Sequence, residues 1–214
     1  DPPSDAFTSI LFPYGGFAIQ RNGWNPEDLY LFMCGNRPSI GHWRAQDGGL
    51  QLSAYGRNLL VSAIGEMYDE RNSKLGWSGY FYSAVGENTV LVDGMSHNRR
   101  TDGFEKLDNT LWHASADIEF METEMAEPYG GWDFRVDGKI AGAKAKAGET
   151  EDRPEVTDVT HRRQVHFLRR AKCWIVTDRI DSTREHDFTQ TWCFGPEFQE
   201  SEVVADPANQ RIRT

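Results

Sequence analysis

The strongest constraint on this chain is a period-two alternation of apolar and polar residues, stopped repeatedly by turn pairs. Between residues 41 and 94, Leu50, Leu52 and Ala54 fall on one face of a strand, with Gln51 and Ser53 on the other. Tyr55-Gly56-Arg57-Asn58 reads as a hairpin turn, and Leu59-Leu60-Val61 starts the return strand. Residues 87–93 form a further strand, closed by Asp93-Gly94. The same signals recur on both sides. Residues 17–20 and 29–33 are short apolar runs separated by Asn22-Gly23 and Asn25-Pro26. Residues 117–125 alternate, with Ile118 and Phe120 opposite Asp117 and Glu119, and three final strands are expected over 161–169, 173–179 and 185–194. Residues 139–158, rich in Ala, Gly, Lys and Glu, read as a long mobile loop or a short exposed helix. No run of helical period is long enough for a bundle, and no heptad or internal repeat occurs. The expected fold is all-β, an antiparallel β-sandwich.

Length and charge narrow the function. A chain of 214 residues can bury a full core as one β-sandwich domain over 1–214. With 38% hydrophobic and 26% charged residues it has the composition of a globular protein. No apolar run approaches the ~18 residues of a membrane-spanning helix, so no membrane partner is expected. The net charge of -10 disfavours nucleic acid, whose binding relies on a basic surface. An anionic ligand must therefore meet a local basic site. Cys34, Cys173 and Cys193 lie far apart and match no metal spacing, which makes them candidates for small buried strand residues. The start at Asp1-Pro2-Pro3-Ser4-Asp5 reads as a mature or excised piece of a longer chain.

At His42 and the motifs after it the chain resembles the β-sandwich part of the heparinase II/III-like polysaccharide lyases. The family pattern runs His-x-His-x-Asp-x-x-Ser-Phe, a Tyr-Gly-Arg turn, Leu-Leu-Val-Asp-Pro-Gly, then Ala-His-Asn-Thr-Val-x-Val-Asp-Gly. His42 matches the first histidine, Tyr55-Gly56-Arg57 the turn, and Asn88-Thr89-Val90-Leu91-Val92-Asp93-Gly94 the last block. Phe12-Pro13-Tyr14-Gly15-Gly16, Arg21-Asn22-Gly23-Trp24, His161-Arg162-Arg163 and Trp174-Ile175-Val176-Thr177-Asp178 extend the similarity over most of the chain. The resemblance implies an acidic polysaccharide as partner, a periplasmic or secreted location, and an N-terminal α/α-toroid on the parent chain. It also implies a structural zinc in some members. Its ligands are the second histidine, the aspartate after Leu-Leu-Val, and the histidine before Asn-Thr-Val. Arg44, Ser62 and Glu87 stand at those positions here, Ser62 within a segment one residue longer than the family's. A guanidinium stays protonated and offers only donors, so no zinc or other cofactor is expected. An Arg44–Glu87 ion pair, with Ser62 as neighbour, is expected in its place.

The implied chemistry is β-elimination next to a uronic acid. It needs one group to neutralise the sugar carboxylate, one to take the C5 proton, and one to protonate the leaving oxygen. The resemblance puts His42 in proton transfer, and an unperturbed pKa of ~6.5 suits a base. Tyr80 and Tyr82 are candidates for the acid, or for the base if a nearby charge lowers their pKa of ~10. If their segment is extended, they point the same way. Trp43 and Trp77 are candidates to stack on sugar rings, and Asn88 and Arg99 complete the candidate binding set. The alternative for the tyrosines and tryptophans is packing. For the paired arginines 99–100, 162–163 and 169–170 it is a solvated surface.

Two functions stay open on the sequence. One is the sandwich half of a lyase, inactive without its toroid. The other is a non-catalytic carbohydrate-binding or structural module.

Overall fold

The structure is a computed structural model. It describes residues 8–35, 44–63, 80–81, 83–97, 110–125, 128–130, 155–198, 204–206 and 211–213. Five antiparallel strands form one sheet in chain order: β1 (Ile10–Phe12), β2 (Phe17–Arg21), β3 (Tyr30–Cys34), β4 (Leu50–Ala54) and β5 (Arg57–Leu60). After β5 comes β6 (Val90–Val92), followed by β7 (Thr110–Ala114), β8 (Ile118–Met125), β9 (Val159–Leu168) and β10 (Cys173–Ser182). The last four make a second antiparallel sheet in the order β10-β9-β8-β7. A short strand β11 (Phe188–Gln190) pairs with β6, and β12 (Val204–Asp206) pairs with β13 (Arg211–Arg213).

Turn chemistry sets the register. Tyr55 and Gly56 both take positive φ, 55° and 73°, as a two-residue hairpin matched to strand twist requires. Asp93 and Gly94 repeat the device at 51° and 73°. The turns therefore fall where the sequence predicts them. The return strand begins at Arg57, two residues earlier than the apolar run suggests. The strand expected over 87–93 contracts to β6, because Ala84–Gly86 forms a 3-10 turn and Asn88 sits at φ 56°.

The two sheets pack face to face. Ala18, Leu31, Met33 and Leu50 of the first meet Met121 and Val165 of the second, with Leu52, Trp112, Trp174, Val176 and Trp192 at the margin. Leu50 and Ala54 are buried, in keeping with the alternation of β4. In β8 the alternation holds, but Glu119, Met121, Thr123 and Met125 form the buried face, leaving Ile118 outside. The two methionines supply the apolar area. Glu119 is tolerated because Arg169 neutralises it.

Cys34 is buried, Cys173 and Cys193 are half-buried, and none of the three is in a disulfide. The arginine pairs depart from a purely solvated surface. Arg162 points outward to Glu122 and Glu124, whereas Arg163 is fully buried. Arg170 is exposed beside Asp117, whereas Arg169 pairs with buried Glu119. Consecutive strand residues face opposite ways, so Arg163 of β9 turns inward to Asp178, and Arg169, in the turn after β9, reaches Glu119; Arg99 and Arg100 lie outside the described residues. Most of the segment 139–158 lies outside the described residues.

Candidate functional site

Arg44 is the hub of one pole of the sandwich. Its Nε donates to the Phe81 carbonyl at 2.7 Å and its Nη2 to the Ala63 carbonyl. Nη2 also lies 2.7 Å from Oε1 of Glu87, whose side chain is 1% exposed. The guanidinium N–H groups are aimed at the two carbonyls, so Oε1 is held by charge more than by an aligned hydrogen bond. The Ser62 hydroxyl reaches the same carboxylate and accepts a 2.9 Å bond from Nε2 of Gln51 on β4. Arg44 thereby joins the segment after β5 to the Tyr80–Phe81 turn and to the 3-10 turn that follows it before β6.

Burial dominates the electrostatics of this pole. It pushes Glu87 up to about 7, although Arg44 and Ser62 both favour the charged carboxylate. Tyr80 is also raised, by burial first, then by Cys193 and the charge of Glu87, with Arg44 opposing. Its hydroxyl and the Cys193 thiol share a hydrogen bond, and burial raises that thiol as well. Tyr80 is therefore in its protonated form at neutral pH and is not a ready base. Gly86 admits the packing here, since a Cβ at that position would collide with Ala63 and crowd the Tyr80 ring.

Beneath this pole, a polar network inside the sandwich supports the loops. Arg163 is bidentate to Asp178, Nε to Oδ1 at 2.7 Å and Nη2 to Oδ2 at 2.8 Å. Its Nη1 crosses to the other sheet's loops, donating to Gly48 O at 2.7 Å and to Asn88 O. Asp178 also meets His161 Nε2 and Gln190 Nε2, each at 2.7 Å. His97 packs edge-on against Tyr129 and accepts from the Asp47 amide at 3.2 Å. Burial, aided by neighbouring His161, pushes His97 down to about 3, so it is neutral. His161 is lowered too, chiefly by burial. The Asp178 carboxyl lies far below its ordinary range, because its partners outweigh the burial that opposes them.

Of the residues singled out from sequence, Tyr80, Asn88, Arg44, Ser62 and Glu87 are described and lie together at this pole. His42, Trp43, Trp77, Tyr82 and Arg99 lie outside the described residues. Tyr80 and Phe81 are helical, so the condition of an extended segment, under which Tyr80 and Tyr82 point the same way, is not met at Tyr80. Ser83 closes that turn, its amide and hydroxyl both bonding the Tyr80 carbonyl, at 3.2 and 2.9 Å. Asn88 is fully buried. Its Nδ2 donates to Leu50 O at 2.7 Å and Val61 O at 3.0 Å, and its Oδ1 accepts from Cys193 N at 2.5 Å. It shapes the pole through the backbone it holds. Sequence reasoning did not single out Cys193, His97 or Asp178 as part of this region, because their partners are remote in sequence.

Arg44, Ser62 and Glu87 do not make a zinc-binding set. Zinc takes thiolate, imidazole or carboxylate donors, and a permanent cation at bonding distance from the one carboxylate excludes them from converging on an ion. Among the described residues, no group of three or more His, Cys, Asp or Glu is placed to hold one.

Comparison with known proteins fits this geometry. An endo-acting ulvan lyase from Formosa agariphila is 25% identical over 128 residues, covering 56% of this chain and 16% of that protein. A heparan sulfate lyase HepC mutant from Pedobacter heparinus superposes with a TM-score of 0.70 at 16% identity, over 98% of this chain and 27% of its own. A heparinase III superposes at 0.68 and 15% identity, over 94% of this chain and 26% of its own. The chain thus spans about a sixth of that curated relative and about a quarter of these solved lyases. The family model described as heparinase II/III-like, C-terminal, matches residues 5–214, and the chain belongs to that family.

Proposed function

We propose that this chain is the β-sandwich part of a polysaccharide lyase that cleaves uronic-acid-containing acidic polysaccharides by β-elimination. In that reaction His42 takes the C5 proton. The C5–H electron pair forms the C4=C5 double bond, the C4–O bond breaks, and the departing oxygen receives a proton. Tyr80, whose environment keeps it protonated, suits the donor role, with Tyr82 as its neighbour in sequence. Trp43 and Trp77 stack on sugar rings, Arg99 meets the acidic groups, and Asn88 fixes the backbone at Leu50, Val61 and Cys193. A helical N-terminal domain of the parent supplies the opposite wall of the cleft. The parent works in the periplasm or outside the cell.

The observation that supports this reading best is the convergence at Arg44. One guanidinium, two residues after His42, binds the Tyr80–Phe81 turn, the segment after β5 and Glu87 beside Asn88. The segment after β5 and the Glu87–Asn88 segment match family motifs, and Arg44 draws them together with the candidate proton donor Tyr80. The isolated chain lacks one wall of the cleft, so orientation of the sugar is lost and turnover with it. The test compares the chain alone with the parent protein on a panel of uronic polymers, following the ultraviolet absorbance of the unsaturated product. Product from the parent only is expected. Product at enzymatic rates from the chain alone, or none from the parent on any uronic polymer, would overturn the proposal.

A further inference from the structure

The pole around Arg44 carries an inference about how this chain is held together. In zinc-bearing members of the family, as the resemblance implies, three side chains at these positions converge on one ion that ties neighbouring strands. Here the residues do not fit an ion, and the geometry points to a replacement. We infer that the Arg44–Glu87 pair is a metal-free clamp, doing with one guanidinium what the ion does with three ligands.

The bonds of Arg44 fit that role. An ion joins several segments by accepting electron pairs from each. A guanidinium joins them by donating N–H groups, and its planar fork can serve several acceptors at once. Arg44 reaches Phe81 O, Ala63 O and the Glu87 carboxylate, one acceptor on each of three segments. Glu87 in turn takes the Ser62 hydroxyl, which Gln51 holds from β4, so the third of the old positions joins the same network. Arg44 is 12% exposed and Glu87 1% exposed, and a pair this dry is little screened by solvent or salt. Desolvation of the two charges offsets much of their attraction, so the clamp works by geometry and register more than by net stability.

This inference rests on the family assignment and not on the lyase activity, and its test uses no turnover. The wild-type chain, purified without chelator, is assayed for bound metal by mass spectrometry and unfolded by urea with and without EDTA. Less than a tenth of an equivalent of zinc and an unmoved midpoint are expected. Stoichiometric zinc, or a midpoint that falls on chelation, would overturn the clamp. A double-mutant cycle on Arg44→Met and Glu87→Met supplies the second arm. Glu87→Met strands the buried Arg44 charge and Arg44→Met forces the buried Glu87 carboxyl to take up a proton, so the double variant should unfold at higher urea than either single one. The coupling should be at least tenfold in the folding equilibrium constant. Additive losses would show that the two side chains do not act together and would refute the proposal. Should a single variant fail to fold, the metal content and EDTA response of the wild-type chain still decide the matter.

Discussion

Arg162 and Arg163 are adjacent on β9, and replacing each by methionine should have very different consequences. Arg163 is fully buried and serves Asp178 through two bonds, Gly48 O through a third and Asn88 O through a fourth. Methionine fills much of the same space and stays apolar, so the packing loss is small. The electrostatic loss is not. The Asp178 carboxylate keeps His161 and Gln190 but loses its only permanent cation among the described contacts, and two loop carbonyls lose a donor. Stranding one partner of a buried pair costs about 3–5 kcal/mol. For a domain of this size that corresponds to a fall in melting temperature on the order of 10 °C. Arg162 sits half outside the sheet with Glu122 and Glu124, and its pairing contributes about 1 kcal/mol or less. Urea unfolding of both variants at constant m-value reads the difference directly. Equal losses, or an Arg163→Met cost below about 1.5 kcal/mol, would refute the account of the buried network.

Three further outcomes follow from the same geometry. His97, buried neutral with a pKa pushed down to about 3, should weaken the fold on acidification, while Glu87, raised to about 7, takes up a proton in the fold and offsets much of that loss between pH 7 and pH 5. The unfolded chain gains a proton near pH 6.5 that the fold refuses, so stability is full above that pH and falls below it, by about 2 kcal/mol at pH 5 from His97 alone. Asp178, lowered by its partners, adds a loss only below its ordinary carboxylate range. The Glu87→Gln variant removes that offset, and a urea midpoint in it that is flat from pH 7 to pH 5 would contradict this. Gly86→Ala should cost roughly 1–3 kcal/mol by driving a methyl group into Ala63 beside Tyr80, and a neutral substitution would mean the close approach is not real. Asn88→Ala should loosen the loop between β5 and β6, since three backbone groups lose their partner, and amide exchange at Cys193 should quicken.

Local signals carried a large part of this fold. The alternation of Leu50, Leu52 and Ala54 placed β4, and two turn pairs at positive φ placed the hairpins, because those are properties of neighbouring residues. The Arg44–Glu87 pairing was legible for a different reason. The resemblance says which remote positions converge, and opposite charges at converging positions attract. What escaped was whatever depends on remote partners without such a guide. Arg163 reads as a surface residue until Asp178, Gly48 and Asn88 are brought to it. The conformation at Tyr80 stays open in the sequence because the Ser83 bonds that close its turn add nothing to the hydrophobic pattern. Glu119 reads as an outward carboxylate, since only the Arg169 contact makes its burial tolerable.

The central claim is that this sandwich contributes the proton-transfer side of a polysaccharide lyase, and His42→Ala in the parent protein tests it most directly. Initial rates of unsaturated product are measured on whichever uronic polymer the parent cleaves, beside the urea midpoint of the same variant. The account predicts a fall in turnover of about 10²-fold or more with a midpoint little changed. An unaltered rate would contradict it and return His42 to a structural role.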